Sequence, residues 1–154
     1  MKFITFHVAS GVYGAAVEYV QEVLRQQELT PIPLAPRATP GLLHLRGQIL
    51  TAIDLRALFE PDGDASSSRT VCVVVRDGEL AAALLADRVG EVLEIDPGQT
   101  APLPAHWQGP VRDYVTAVVD RGDCILRILD IARITGIEAA VDDDAELTIN
   151  TSSL

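Results

Sequence analysis

Lysine is almost missing from this chain. Of its 12 basic residues only Lys2 is not arginine, and 22 acidic residues outweigh them to give a net charge of −10. Binding to a phosphate backbone or an anionic bilayer needs clustered positive charge, so the composition argues against nucleic acid and against a membrane-surface partner. Long hydrophobic runs are missing too. Apolar residues make up 48% of the 154. Even so, the longest blocks, Val71–Val75 and Ala81–Ala86, fall far short of the ~20 residues that span a bilayer. They have the length of buried strands. The N-terminus MKFITFHVAS has no apolar block ahead of a small-residue cleavage site, so it does not read as a signal peptide. It reads as a strand with Ile4, Phe6 and Val8 on one face. Cysteine is limited to Cys72 and Cys124, each inside an apolar run and without metal-ligand spacing. Two buried thiols in a cytoplasmic protein are the expectation.

Motifs for chemistry are absent as well. There is no glycine-rich phosphate loop ending in Lys-Ser or Lys-Thr, no His-Glu-x-x-His, and no serine framed as a nucleophile between glycines. No catalytic residue, metal or cofactor is expected. Arg121-Gly-Asp123 reads as a hairpin turn, and Asn150-Thr-Ser152 carries no meaning as a glycosylation signal in a cytoplasmic chain.

What is present is one plan written twice. HLRGQILTAIDLRALF at 44–59 returns at 121–134 as RGDCILRILDIARI, and Val20-Gln-Glu-Val-Leu24 returns as Val89-Gly-Glu-Val-Leu93. Repetition in the same order implies two similar lobes. Residues 3–9 and 12–17 read as a hairpin across Ser10–Gly11. Val17, Val20 and Leu24 then recur at helical spacing and predict a short helix. Pro31, Pro33, Pro36 and Pro40 hold 30–40 as an extended connection without regular structure. Strands follow at 42–46 and 49–53, hinged at Gly47, and Asp54 is placed to cap a short helix through Phe59. After a polar break at 60–69, 70–76 and 79–87 form a hairpin across Asp77–Gly78. A strand at 89–95, a proline loop at 96–104 and a last hairpin of 114–120 with 124–129 complete the pattern. Asp130 caps a final helical turn as Asp54 did. Capping accounts for both carboxylates better than an acid/base pair does. Short strands with frequent turns predict small β barrels rather than βαβ units.

Arg46 stands apart. It ends an apolar strand, precedes Gly47, and has the forked donor geometry suited to recognising carboxylates and carbonyls at an interface. An intramolecular salt bridge to Glu22 or Asp54 is the other reading, and the sequence leaves both open.

Several of these segments also carry a resemblance. Phe3-x-x-Phe6, Gly11-x-Tyr13-Gly14, Val17-x-x-Val20-x-Glu22-Val23, Gly41-Leu-Leu-His-Leu-Arg-Gly47 and Ile53-Asp-Leu-Arg56, in that order, resemble the CheW family of bacterial chemotaxis coupling proteins. His44 stands where the family usually shows Asn, and Thr51–Ala52 where it often shows Pro-Val. The resemblance implies a mainly β fold of two similar SH3-like five-stranded barrels packed together, with short helices. One domain would cover 1–137, its first lobe about 1–65 and its second about 66–137, followed by an acidic tail at 138–154. It implies a non-enzymatic cytoplasmic scaffold that couples the tip of methyl-accepting chemoreceptors to the regulatory domain of the CheA histidine kinase. Residues matching Val20, Glu22, Gly41 and Arg46 lie where such partners bind; Gly47 and Arg56, in the same motifs, complete the candidate set. Alternatives are a coupling protein of pilus motility or another non-flagellar chemosensory system, and, from another class, a small-molecule-binding protein or enzyme with a pocket between the lobes near Arg46, Asp54 and Arg56.

Overall fold

Two hairpins organise the molecule. The computed structural model describes residues 1–63 and 69–137; the acidic segment 138–154 and part of the break at 60–69 lie outside the described residues. Lys2–Val8 (β1) pairs antiparallel with Gly11–Ala16 (β2) in the register Val8↔Gly11. Val71–Asp77 (β7) pairs antiparallel with Leu80–Ala86 (β8) in the register Asp77↔Leu80. Ala9 and Gly78 take positive φ values of 54° and 63° at the two turns, as tight hairpins demand.

The predicted helix after β2 is a strand instead. Only Val17–Tyr19 is helical, as a single 3-10 turn, and Val20–Arg25 (β3) runs extended beside β7 with Leu24 opposite Cys72. The half-buried side chains are Val20, Glu22 and Leu24, a period of two. Glutamate in the middle of the inward face hid this alternation, while Val17, Val20 and Leu24 also satisfy a helical period. Tertiary pairing to β7 decides the outcome.

Thr30–Pro31 (β4), Gly41–Leu45 (β5) and Gln48–Asp54 (β6) follow, then the short helix Leu55–Phe59 (α1). In the other half come Arg88–Glu94 (β9), Thr100–Ala101 (β10), the helix Pro110–Tyr114 (α2), Val115–Asp120 (β11) and Ile125–Leu129 (β12), with residues 131–137 helical. One six-stranded sheet has the order β10-β11-β12-β2-β1-β9 and the other β3-β7-β8-β6-β5-β4. Each carries one strand more than expected, because the proline loops supply the two-residue strands β4 and β10.

The two orders are the same list offset by half the chain. β6 lies parallel to β8, with Thr51 opposite Ala82, and β12 lies parallel to β2, with Leu126 opposite Val12. Leu50–Ile53 and Leu126–Leu129 are therefore equivalent, as the repeat implied. The lobe boundary near residue 65 is not the boundary between the sheets, however. Each half gives its leading hairpin to the sheet built by the other half.

Exchange puts each hairpin between two cores, which explains why both faces of these strands carry buried side chains. Cys72 and Val74 join Leu43, Leu50 and Ala83 inside one barrel, and Phe3 and Ala16 join Val119, Leu126 and Ile128 inside the other. Val73, Val75, Phe6 and Val8 face the opposite way, into a third cluster with Leu84, Leu129 and Ile134 that fills the space between barrels. Burial of such side chains stabilises by ~1.5–3 kcal/mol each, so the inter-barrel cluster ties the sheets into one unit.

Candidate functional site

β5 and β6 meet in a two-residue turn, Leu45 pairing with Gln48. Its central residues Arg46 and Gly47 have φ values of 48° and 81°, the positive pair characteristic of a type I′ turn. Arg46 is thereby held outside the barrel wall at a strained left-handed position. Its Nη1 lies 2.9 Å from Glu22 Oε2, with the arginine side chain 71% exposed and the glutamate 18%. The salt-bridge reading is met, with Glu22 as the partner, and Arg46 still faces solvent. Glu22 Oε1 is buried and has no hydrogen-bond partner. Glu22 also adds to the effect of burial that pushes the Cys72 thiol up to about 11.

The remaining candidates divide by what they touch. Val20 is half-buried against the inter-barrel cluster. A Cβ on Gly41 would meet the Thr30 carbonyl oxygen at 2.5 Å, so glycine here is what lets β4 approach β5. Gly47 meets nothing within 4 Å, and its positive φ is its requirement. Arg56 Nη2 lies 3.0 Å from Asp87 Oδ2, which also accepts from the Ala9 amide at 2.8 Å. Because Asp87 sits between β8 and β9, Arg56 braces α1 against the other barrel. Arg46, Asp54 and Arg56 pair with separate partners, Glu22, Arg69 and Asp87 respectively.

Asp54 Oδ1 accepts from the amides of Arg56 and Ala57 at 3.1 and 3.3 Å, and Oδ2 pairs with Arg69 Nε at 2.9 Å. Asp130 Oδ1 accepts from the Arg133 amide at 3.1 Å. Both carboxylates hold helix starts at equivalent places, and their backbone amides donate to equivalent loops, Asp54 to Ala38 O and Asp130 to Tyr114 O.

Sequence reasoning missed a stack on the second barrel. Arg127 lies 4.9 Å from the Trp107 ring centroid and 5.6 Å from that of Tyr13, and Tyr13 stacks on Phe59 at 4.6 Å. Burial pushes the Tyr13 hydroxyl up to about 12. Aromatics are only 5% of the chain, so the gathering of Tyr13, Phe59 and Trp107 was detectable only from the fold. Among the described residues no group of three or more His, Cys, Asp or Glu could hold a metal ion, and no helix is long and apolar enough to cross a membrane.

Comparison with known proteins agrees with this arrangement. A family model described as a CheW-like domain matches residues 2–138. Chemotaxis protein CheW of Klebsiella aerogenes is 29% identical over 147 residues, covering 94% of this chain and 89% of that protein. Its counterpart in Treponema pallidum is 27% identical, covering 86% and 81%. Protein FrzA of Myxococcus xanthus is 31% identical over 103 residues, 67% of this chain and 64% of its own. Among solved structures, the scaffolding protein TtCheW from Thermoanaerobacter tengcongensis aligns with a TM-score of 0.75 at 28% identity, covering 84% of this chain and 88% of that one. A family match that spans nearly the whole chain, on a fold that aligns with a solved relative, places the protein in the CheW family.

Proposed function

We propose that the protein is a chemotaxis coupling adaptor of the cytoplasm, joining chemoreceptors to a CheA-type histidine kinase and carrying no catalysis of its own. The observation that carries this reading is the match to the CheW-like family over residues 2–138. The geometry supports it. Two barrels share one apolar interface and so move as a unit, which is what a bridge between receptor and kinase requires. The Arg46–Glu22 pair ties β3 to the β5–β6 turn, and the same strands carry the exposed apolar side chains Val23 and Ile49. Polar and apolar groups side by side on a rigid wall suit a protein partner. Val20, Glu22, Arg46 and Gly47 make up the proposed contact region; Gly41 and Arg56 support it from behind by backbone approach and inter-barrel bracing.

Identity to FrzA favours a second reading, the same scaffold role in another chemosensory system. The test is capture from the native cytoplasm with the tagged protein. Recovery of receptors and kinase is the expected result, and the identity of that kinase decides between the two pathways. A metabolite that raises the melting temperature, with neither receptor nor kinase recovered, would instead establish a small-molecule-binding protein.

A further inference from the structure

Most arginines of this chain are neutralised or used internally. Arg46, Arg56, Arg69 and Arg133 pair with carboxylates, Arg112 donates to the backbone carbonyls of Trp107 and Pro104, and Arg127 stacks on aromatic rings. Arg76 is held differently, by two side-chain amides. At the end of β7, its Nε donates to Gln21 Oε1 and its Nη2 to Gln48 Oε1, both at 3.1 Å. Two neutral amides, one on β3 and one on β6, fix the guanidinium without cancelling its charge. Among the described residues no carboxylate forms an ion pair with it. Arg76 lines an open cleft of about 340 Å³ together with Val20, Tyr19 and Glu18.

Two side-chain amides from separate strands fix this guanidinium in a chain with 22 acidic residues against 12 basic ones. Nη1 has no partner among the described residues, so it remains to donate to an incoming carboxylate oxygen. We infer that Arg76, cradled by Gln21 and Gln48, is a docking point for a carboxylate side chain of a protein partner. The net charge of −10 repels a polyanion and tolerates a single carboxylate seated on one cation. Among the described residues the site occurs once. In the other barrel the equivalent positions, by strand and motif alignment, are His7, Gly90 and Cys124, which cannot build the same cradle. It therefore gives the molecule a direction that its doubled fold lacks.

This inference rests on the adaptor reading and deepens it. Titration calorimetry would use two probes from the bacterium that encodes the chain, the receptor signalling fragment and the kinase regulatory domain, against wild type, Arg76→Gln and Gln48→Glu. Gln48→Glu supplies the missing carboxylate internally. It should weaken one partner by about tenfold or more with the melting temperature unchanged or raised. Arg76→Gln should weaken the same partner and flatten its salt dependence. Affinities within about twofold of wild type for both partners, in both variants, overturn the inference and leave the adaptor reading intact. A wild-type protein that binds neither probe overturns the adaptor reading itself, and the inference with it.

Discussion

Replacing Arg46 by alanine and by glycine separates its backbone cost from its side-chain role. Both substitutions remove an ion pair whose arginine is 71% exposed, a contact of at most ~1 kcal/mol. Both leave Glu22 unpaired at 18% exposure, adding roughly 1 kcal/mol for a partly desolvated polar group. They differ at the backbone. Alanine at φ 48° keeps the left-handed strain of ~1–2 kcal/mol. Glycine relieves that strain but makes the unfolded chain more flexible by ~0.4–1 kcal/mol. Arg46→Ala should therefore lose about 1–2 kcal/mol in urea unfolding, with Arg46→Gly more stable than alanine by about 0.5–1 kcal/mol. Affinity should behave otherwise. Both variants lose the same guanidinium, so both should weaken receptor or kinase binding by about 1–2 kcal/mol, close to tenfold. A glycine variant no more stable than the alanine one refutes the strained-turn account. Unchanged affinity in either variant removes Arg46, and with it Glu22, from the contact region.

Arg56→Ala should lower stability by roughly 2–3 kcal/mol in the same unfolding assay, because Asp87 at 18% exposure keeps only the Ala9 amide, a loss smaller than for a fully buried pair. Gly41→Ala should cost about 1–3 kcal/mol, since its Cβ would lie 2.5 Å from the Thr30 carbonyl oxygen and β4 must move away; an unchanged melting temperature would show that β4 gives way freely. Tyr13 has its hydroxyl raised from 10.0 to about 12, so the folded state holds the proton more tightly than the unfolded one. Its contribution, roughly 2 kcal/mol, is fully present below pH 10 and lost as pH rises through about 12, and Tyr13→Phe should remove that part of the alkaline slope. Residues 1–63 expressed alone should show no cooperative unfolding, because β7 and β8, the strands that complete their sheet, lie in the other half; adding 69–154 should restore it.

Strand existence, the doubled order and the two capping aspartates could be read from local sequence, because alternation, turn residues and N-cap chemistry act within a few positions. Hairpin exchange could not. Pairing of β2 with β12 and of β8 with β6 is decided by which sheet completes the buried faces of each hairpin, and no local pattern records that choice. β3 was misread for a related reason: Glu22 occupies an inward position that only Arg46, distant in sequence, makes tolerable. Arg46 itself was recognisable as special, but its partner was not. Arg76 gave no signal at all, since its meaning depends on Gln21 and Gln48 arriving from two other strands.

Doubling also shows where function has departed from architecture. The second copy repeats Glu22 as Glu91, yet its turn is built on Arg121–Cys124, with the Arg121 amide donating to Cys124 O, and Glu91 has no ion pair among the described residues. The type I′ turn that presents Arg46, the Glu22 pair and the Arg76 cradle all belong to one barrel, whereas the Tyr13–Arg127–Trp107 stack is formed on the other. A fold with two equivalent barrels offers two equivalent surfaces by default. These substitutions at matched positions make the two surfaces unequal without altering the strand order that both barrels share, and unequal surfaces are what the proposed bridging of two different proteins calls for.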